Sequence, residues 1–396
     1  MMYHLNIWSR LIGETLAGEM VCEIDDHGLA RGAFRYSQSF LEHANAFPLD
    51  PVALPLQQES FEFRHPGVAK VFEDSLPDDW GRKLLIRKHG IPRQRQNVPV
   101  LLDALGSSAL GALAFSRHEK ADPLFKAPSV ISLSTLLDEA EKFERGETRD
   151  VEISMLLSAG SSPGGARPKA LVCDEAAGTQ YIAKFPSVKD MVNVVRIEAA
   201  TMSLARKAGL VVPDMVLSPC GHRDVLLVER FDIVPSGRRH MISMQTLLNA
   251  EGYYVARYKQ LLDMVRQFSA EPAKDSEALF RQMVFNAVIG NTDDHLKNFW
   301  MTYGVGEGWR LSPSFDLVPN IGQRDEHVLL FDLDPYNPGR DKLEKLGRSW
   351  GISLPGTVVG QVYEAVSTWR EEFASHGVSA DDMGRFKEID RNLSEV

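Results

Sequence analysis

Strand-like sequence fills the front of this chain and helix-like sequence its end, and that segregation limits the available folds more than any other feature. Runs of strands followed by runs of helices belong to α+β architectures. Residues 3 to 36 hold "YHLNIW", "GEMVCEI" and "RGAFRY", which read as short strands separated by turn material such as "DDHG". The last fifty residues, including "GTVVGQVYEAVSTWREEFASHG", read as helical throughout.

Several segments lie between these ends. "PLDPVALPLQ" is too rich in proline for a helix interior and is expected to be extended. "LPDDWGRKLLIRKHG" offers Asp78 or Asp79 as an N-cap and Gly90 as a stop, closing a small α+β module near Ser116. The polar, proline-bearing "HEKADPLFKAPSV" follows as a linker. A helix around 133 to 145 precedes "LSAGSSPGGARPKALVCD" and "TQYIAKFPS", read as a glycine-bearing loop between strands. "VVRIEAATMSLARKAG" is an amphipathic helix ending before Gly209, and "DVLLVERFDIV" is a buried strand with a charged tail. The expected domains are therefore 1–118, 119–235 and 236–396, the last opened by the apolar helix "ALFRQMVFNAVIG".

Composition removes some functions. With 44 Lys and Arg against 54 Asp and Glu, the net charge of −10 argues against a surface that grips nucleic acid by itself. The three cysteines, Cys22, Cys173 and Cys220, form no C-x-x-C pair and suggest neither a zinc site nor a disulfide framework. No apolar run approaches the roughly 18 residues of a membrane span. The start "MMYHLNIWSR" lacks a basic segment followed by an apolar core, so a cytoplasmic protein with no membrane partner is expected.

The chemistry concentrates in "GNTDDHLKNF", residues 290 to 299. Phosphoryl transfer needs a carboxylate to orient the nucleophile and oxygen ligands for magnesium, and protein kinases set the two as D-x-x-x-x-N. Asp293 plus five is Asn298, whereas Asp294 plus five is Phe299, which cannot hold a metal. The spacing picks Asp293 and leaves Asp294 as a solvated or loop-capping neighbour. After a segment read as a hairpin comes "SFDLVP", with Asp316 as a second magnesium ligand although no glycine follows as in D-F-G.

Upstream, "YIAK" is similar to the kinase strand motif V-A-I-K, with Lys184 placed to meet the α- and β-phosphates, and Glu198 lies on a helix fourteen residues on. The stretch "SAGSSPGGARPKA" fits neither standard phosphate-loop pattern. Its Gly164 and Gly165 allow backbone amides to turn toward an anion, with Arg167 and Lys169 adding charge; an ordinary hairpin is the plainer reading. His295 is read as a brace for its loop. Lys297 either neutralises charge on the γ-phosphoryl group or faces solvent.

The order of these parts resembles the HipA-type serine/threonine kinases, the toxin half of bacterial HipBA-like toxin–antitoxin pairs. The resemblance runs through "LPDDWGRKLL", "SSPGGARPKA", "YIAKFP", "LLVERFD", "IGNTDDHLKNF" and "SFDLVP". It implies a protein-kinase-like bilobed α+β fold with a small N-terminal α+β subdomain and an all-helical C-lobe. It further implies that Asp293 is catalytic, that Asn298 and Asp316 bind Mg²⁺, that Lys184 holds ATP, and that Glu229 and Phe231 border the adenine. Ser162, beside Ser161, falls at the autophosphorylated loop position, where a phosphate would repel the triphosphate. The implied partners are a HipB-like helix-turn-helix antitoxin, operator DNA indirectly through that antitoxin, and a protein substrate such as an aminoacyl-tRNA synthetase. Two rival readings use the same residues: a small-molecule or lipid kinase, and a non-catalytic ATP-binding scaffold in a DNA-bound repressor complex.

Overall fold

A computed structural model describes residues 2–394 except 122, 124, 147–152, 160–166, 222, 236, 252–255 and 323–324. The chain forms two compact units, one of residues 1–188, 219–242 and 302–307 and the other of 189–218, 243–301 and 308–396.

The first unit begins with strands β1 (Met2–Ser9), β2 (Thr15–Ile24) and β3 (Ala30–Tyr36), which coincide with the three segments read from the sequence. With β4 (Phe61–Phe63) and β5 (Leu113–Ser116) they make an antiparallel sheet in the order β4-β3-β2-β1-β5. Alternation along β2 and β3 puts Met20, Cys22, Phe34 and Tyr36 inside. Phe34 meets Tyr36 and Phe72 edge to face, with ring centroids 4.9 and 5.2 Å apart.

The proline-rich 48–57 stretch is not extended, contrary to expectation. Asp50 is buried, its Oδ1 accepts the N–H groups of Val52 and Ala53 at 2.8 and 3.0 Å, and Leu54 N–H donates to Asp50 O at 2.9 Å. An Asp collecting the amides two and three residues on closes a turn, which proline content alone did not reveal.

A second sheet in this unit contains β6 (Lys169–Asp174) and β7 (Thr179–Lys184); β8 (Met215–Cys220) precedes β9 (Arg223–Glu229), and β7 pairs antiparallel with both β6 and β9. Its inner face buries Ala170, Val172, Ala183, Phe185, Val225 and Leu227 with Leu136, Leu137 and Ala140 of helix Leu133–Arg145 and Trp80 and Leu84 of helix Asp79–Lys88. Among the described residues, the element before β6 is the helix Ser154–Ser158 rather than a strand. Residues 160–166 of the glycine-bearing segment lie outside those described, and with them Gly164, Gly165, Ser161 and Ser162. After β9 come β10 (Ile233–Val234), paired with β11 (Gly237–Arg238), and then β12 (His240–Ser243).

The second unit is built around the helix Pro272–Ile289. Phe280, Met283, Val284, Phe285, Val288 and Ile289 are all fully buried, so the helix is apolar around most of its circumference and must be enclosed. Helices Tyr258–Phe268, Pro355–Ser367 and Lys387–Ser394 pack on it. The "GTVVGQVYEAVSTWREEFASHG" segment forms two helices, Pro355–Ser367 and Trp369–Ser375. The expected hairpin is present as β13 (Trp300–Gly304) and β14 (Gly308–Leu311). All three cysteines are free thiols. Among the described residues, no helix is long and apolar enough to cross a membrane.

Candidate active site

The sequence-predicted residues fall into two groups, one in each unit.

In the first unit, Lys169 opens β6 and Lys184 closes β7, and the antiparallel register sets them directly opposite one another. Lys169 is buried and Lys184 half-buried. The register thus brings two lysines to the same end of the sheet. The register continues onto β9, where Glu229 faces Tyr181 and Leu226 faces Lys184. Phe231, two residues beyond Glu229, is half-buried.

The segment between those two residues is held by a buried ionic cluster. Arg230 donates to Asp232 through Nε at 3.1 Å and Nη2 at 2.7 Å, and through Nη1 to Gln180 Oε1 at 3.1 Å. Asp232 also accepts the Gly111 N–H at 2.7 Å, and Arg238 Nη1 donates to the Ala109 and Gly111 carbonyls at 3.0 and 3.4 Å. Burial alone would raise the Asp232 carboxyl, but the Arg230 charge and hydrogen bonds, the Gly111 amide and the Arg238 charge hold it below the usual carboxylate range. Arg238 is pushed down to about 10, by burial first and then by Arg230.

In the second unit the apolar helix ends at Gly290, whose φ of +73° suits glycine and whose N–H donates to Asn286 O. Asn392 Nδ2 caps the last carbonyls, donating to Ala287 and Val288 at 3.2 and 3.3 Å. This fixed end delivers the loop. Asp293 is exposed, while Asn298 is buried at the end of the short 3₁₀ turn Leu296–Asn298. The Asn298 Nδ2 donates to the backbone carbonyl of Asp293 at 2.9 Å, and its N–H donates to His295 O at 2.8 Å. With its nitrogen committed, the amide presents its oxygen to any cation. The Lys297 carbonyl accepts the Trp300 indole N–H at 2.6 Å.

Asp316 is half-buried at φ +56°, one of three non-glycine residues with positive φ among those described. That conformation costs an L-residue about 1–2 kcal/mol. Such strain persists where the surroundings enforce it. Here Ser314 N–H donates to Val211 O and Asn320 N–H to Gly290 O, both at 2.8 Å, so the Asp316 segment is fastened to the residue that begins the Asp293 loop.

Asp294 is not solvated, which corrects that half of the expectation; it gathers backbone amides instead. It is fully buried and accepts from the Tyr258 hydroxyl at 2.6 Å, from the Val328 and Leu329 N–H groups at 2.8 and 3.3 Å, and stands 3.0 Å from His327 Nδ1. Asn286 Nδ2 donates to the Tyr258 hydroxyl at 3.0 Å, and Asn291 Nδ2 donates to Asn286 Oδ1 at 3.1 Å. Burial and then the Asp294 charge push the Tyr258 hydroxyl well above the usual tyrosine range, so it keeps its proton and donates. Sequence reasoning missed Tyr258, Asn286, Asn291 and His327. The available signal was Asn286, an amide inside the run "MVFNAVI", because a polar side chain on a wholly buried helix must have a partner.

No group of three or more His, Cys, Asp or Glu side chains able to hold a metal occurs among the described residues. Magnesium does not require one, since it is held through one or two protein oxygens with the rest of its shell from phosphates and water. An amide oxygen and a carboxylate are the hard donors it takes, so Asn298 and Asp316 fit the ion.

Comparison with known proteins agrees with this architecture. A HipA N-terminal domain is matched over residues 11–116 and a HipA-like C-terminal domain over residues 161–370. The chain belongs to the HipA family. It is similar to two proteins of Sinorhizobium fredii (strain NBRC 101917 / NGR234). "Putative kinase Y4mE" is 29% identical over 390 residues, covering 89% of this chain and 86% of the relative. "Putative kinase Y4dM" is 26% identical over 339 residues, covering 80% and 79%. Among solved structures, HipA of the Shewanella oneidensis MR-1 toxin–antitoxin system, determined with HipB and its operator DNA, superposes with a TM-score of 0.70 at 18% identity. The match covers 98% of this chain and 95% of that one, and it shows the fold.

Proposed function

We propose that this chain is a serine/threonine protein kinase that transfers the γ-phosphoryl group of ATP to a protein hydroxyl. The observation that carries the reading is the Asp293 loop: the carboxylate faces outward while Asn298, five residues on, folds back to hold its backbone at 2.9 Å. Catalysis in this class lies in positioning and charge neutralisation rather than covalent work. Asp293 orients the acceptor hydroxyl and takes its proton. Lys184 binds the phosphates, with Lys169 across the ladder and Lys297 and the Gly164–Gly165 segment adding to anion recognition. Glu229 and Phe231 border the base. Asn298 and Asp316 hold Mg²⁺, which supplies charge neutralisation on the β- and γ-phosphates when bound.

We propose further that the protein acts in the cytoplasm as the toxin of a type II pair. Its antitoxin is a small helix-turn-helix protein of the HipB kind, which supplies the operator contact that a chain of net charge −10 does not favour. Its target is a translation-related protein such as an aminoacyl-tRNA synthetase, and autophosphorylation at Ser162 turns it off.

The test is incubation of purified protein with γ-labelled ATP and Mg²⁺, alone and with bacterial extract. Label on its own chain at Ser162, absent in Asp293→Asn, is the expected result. Label on metabolites or lipids with none on protein would overturn the protein-kinase reading. An Asp293→Asn chain that kept full cellular effect would identify a scaffold instead.

A further inference from the structure

Resting on the kinase reading above, we infer that Asp294 is a positioning residue, which aims the Asp293 carboxylate and locks the segment 327–331 to the catalytic loop as one unit.

Asp293 and Asp294 are consecutive, yet one is exposed and the other fully buried. The two residues share a peptide bond, so whatever fixes the buried Asp294 also restrains the backbone that carries Asp293. Asp294 is fixed directly from two parts of the chain. The Tyr258 hydroxyl comes from helix Tyr258–Phe268, and it is itself oriented by Asn286 of the apolar helix. The Val328 and Leu329 amides and the His327 ring come from the segment beyond Asp316. A carboxylate only accepts hydrogen bonds, so all of these groups face it as donors.

The same segment is anchored independently on Tyr258. Tyr258 N–H donates to Leu330 O and Leu330 N–H to Ala256 O, both at 3.0 Å. The Tyr258 ring stacks on Phe331 with centroids 5.5 Å apart, and His327 meets Phe331 edge-on at 4.9 Å. One further bond, Val328 N–H to Thr292 O at 3.2 Å, ties the segment to the residue before Asp293. A carboxylate that served the core alone would need no tie to both sides of Asp293. Asn286 also reaches the loop directly, since its side-chain carbonyl accepts Asn291 Nδ2 at 3.1 Å and its backbone carbonyl accepts the Asn291 N–H at 2.9 Å.

Asn is nearly isosteric with Asp but offers one acceptor oxygen where the carboxylate offers two, so Asp294→Asn loosens the assembly without emptying the site. Tyr258→Phe is the second variant: it removes the hydroxyl that donates to Asp294 and accepts from Asn286, and keeps the ring that packs on Phe299 and Phe331. The experiment measures steady-state phosphoryl transfer by wild-type, Asp293→Asn, Asp294→Asn and Tyr258→Phe proteins, with kcat and KM for ATP determined separately. Amide exchange at Val328 and Leu329 is followed in parallel. Expected for both Asp294→Asn and Tyr258→Phe is a fall in kcat of at least tenfold, KM for ATP within about twofold of wild type, and faster exchange at those two amides. If Asp294→Asn is poorly folded, Tyr258→Phe decides. Folded variants with wild-type kcat, or with kcat/KM lowered only through KM, overturn the inference. Wild-type protein that transfers no phosphate, or Asp293→Asn that retains full transfer, removes the kinase reading itself and is a separate outcome.

Discussion

The side-chain amide of Asn298 donates to the backbone carbonyl of Asp293 at 2.9 Å, so a proposed metal ligand also shapes the loop that carries the proposed catalytic carboxylate. Replacing Asn298 with Asp keeps an oxygen for the ion but sets it against a carbonyl oxygen. Losing a buried hydrogen bond and adding that repulsion costs about 1–3 kcal/mol. Asn298→Asp is therefore expected to lower kcat/KM by roughly 5- to 150-fold. Raising Mg²⁺ restores part of the activity of Asn298→Ala and little of that of Asn298→Asp, which a magnesium titration of initial rates will show.

Lys169 and Lys184 stand opposite one another on β6 and β7. If the pair receives phosphates, removing one cation weakens nucleotide binding. Lys184→Ala should lower kcat/KM for ATP by roughly 10- to 150-fold, since a hydrogen bond to a charged group is worth about 1.5–3 kcal/mol. A variant with unchanged nucleotide affinity would remove Lys184 from the site.

His240 sets a pH limit on the first unit. Its ring is buried against Phe47, with Nε2 2.8 Å from Leu49 O. Burial pushes its pKa down to about 4, opposed by the Leu49 carbonyl. The unfolded chain, near 6.5, then binds a proton that the folded one refuses, so stability falls as pH drops through 6.5 and levels off below about 4. Between pH 7 and pH 5 the loss from this group is about 2 kcal/mol. Denaturant midpoints at the two pH values check it, and His240→Gln should flatten the dependence.

Asp275 works in the opposite window. It is buried at the start of the apolar helix and accepts from Arg310 at 3.0 and 2.9 Å, from Ser269 at 2.6 Å and from Leu311 N–H at 2.9 Å. Burial alone would raise its pKa, but Arg310, Ser269 and Leu311 together hold it below the usual range. Its contribution is present above about pH 4 and is lost as pH falls through the lowered folded value. Asp275→Asn should destabilise the second unit by about 1–3 kcal/mol at pH 7, because charge-assisted hydrogen bonds from Arg310 are lost while Arg310 keeps its ion pair with Glu271. Acid unfolding of the variant below pH 4 should be correspondingly shallower.

Local features were the most legible from sequence. The three opening strands and the helix Leu133–Arg145 announce themselves by alternation and by 3.6-residue periodicity, and the structure has them where those patterns lie. The turn at 48–57 was hidden because it depends on one buried aspartate gathering amides rather than on composition. Asp294 shows the larger limit. The D-x-x-x-x-N spacing singles out Asp293 but does not say which of the two acids is buried. The Asp294 partners Tyr258 and His327 lie 36 and 33 residues away, so its burial is a tertiary fact that spacing cannot express. The two-unit division likewise does not follow the linear order of the chain, since residues 302–307 fall with the first unit.

The ionic cluster of Arg230, Asp232 and Arg238 has a consequence for how the chain can be divided. Its counterparts at Ala109 and Gly111 come from the segment leading into β5, at the edge of the first sheet. A fragment starting at residue 119 would strip an amide from one enclosed anion and two carbonyls from one enclosed cation. The opening sheet is thus a structural part of the first unit rather than a removable appendage, and a shortened chain lacking it leaves those enclosed charges without their partners.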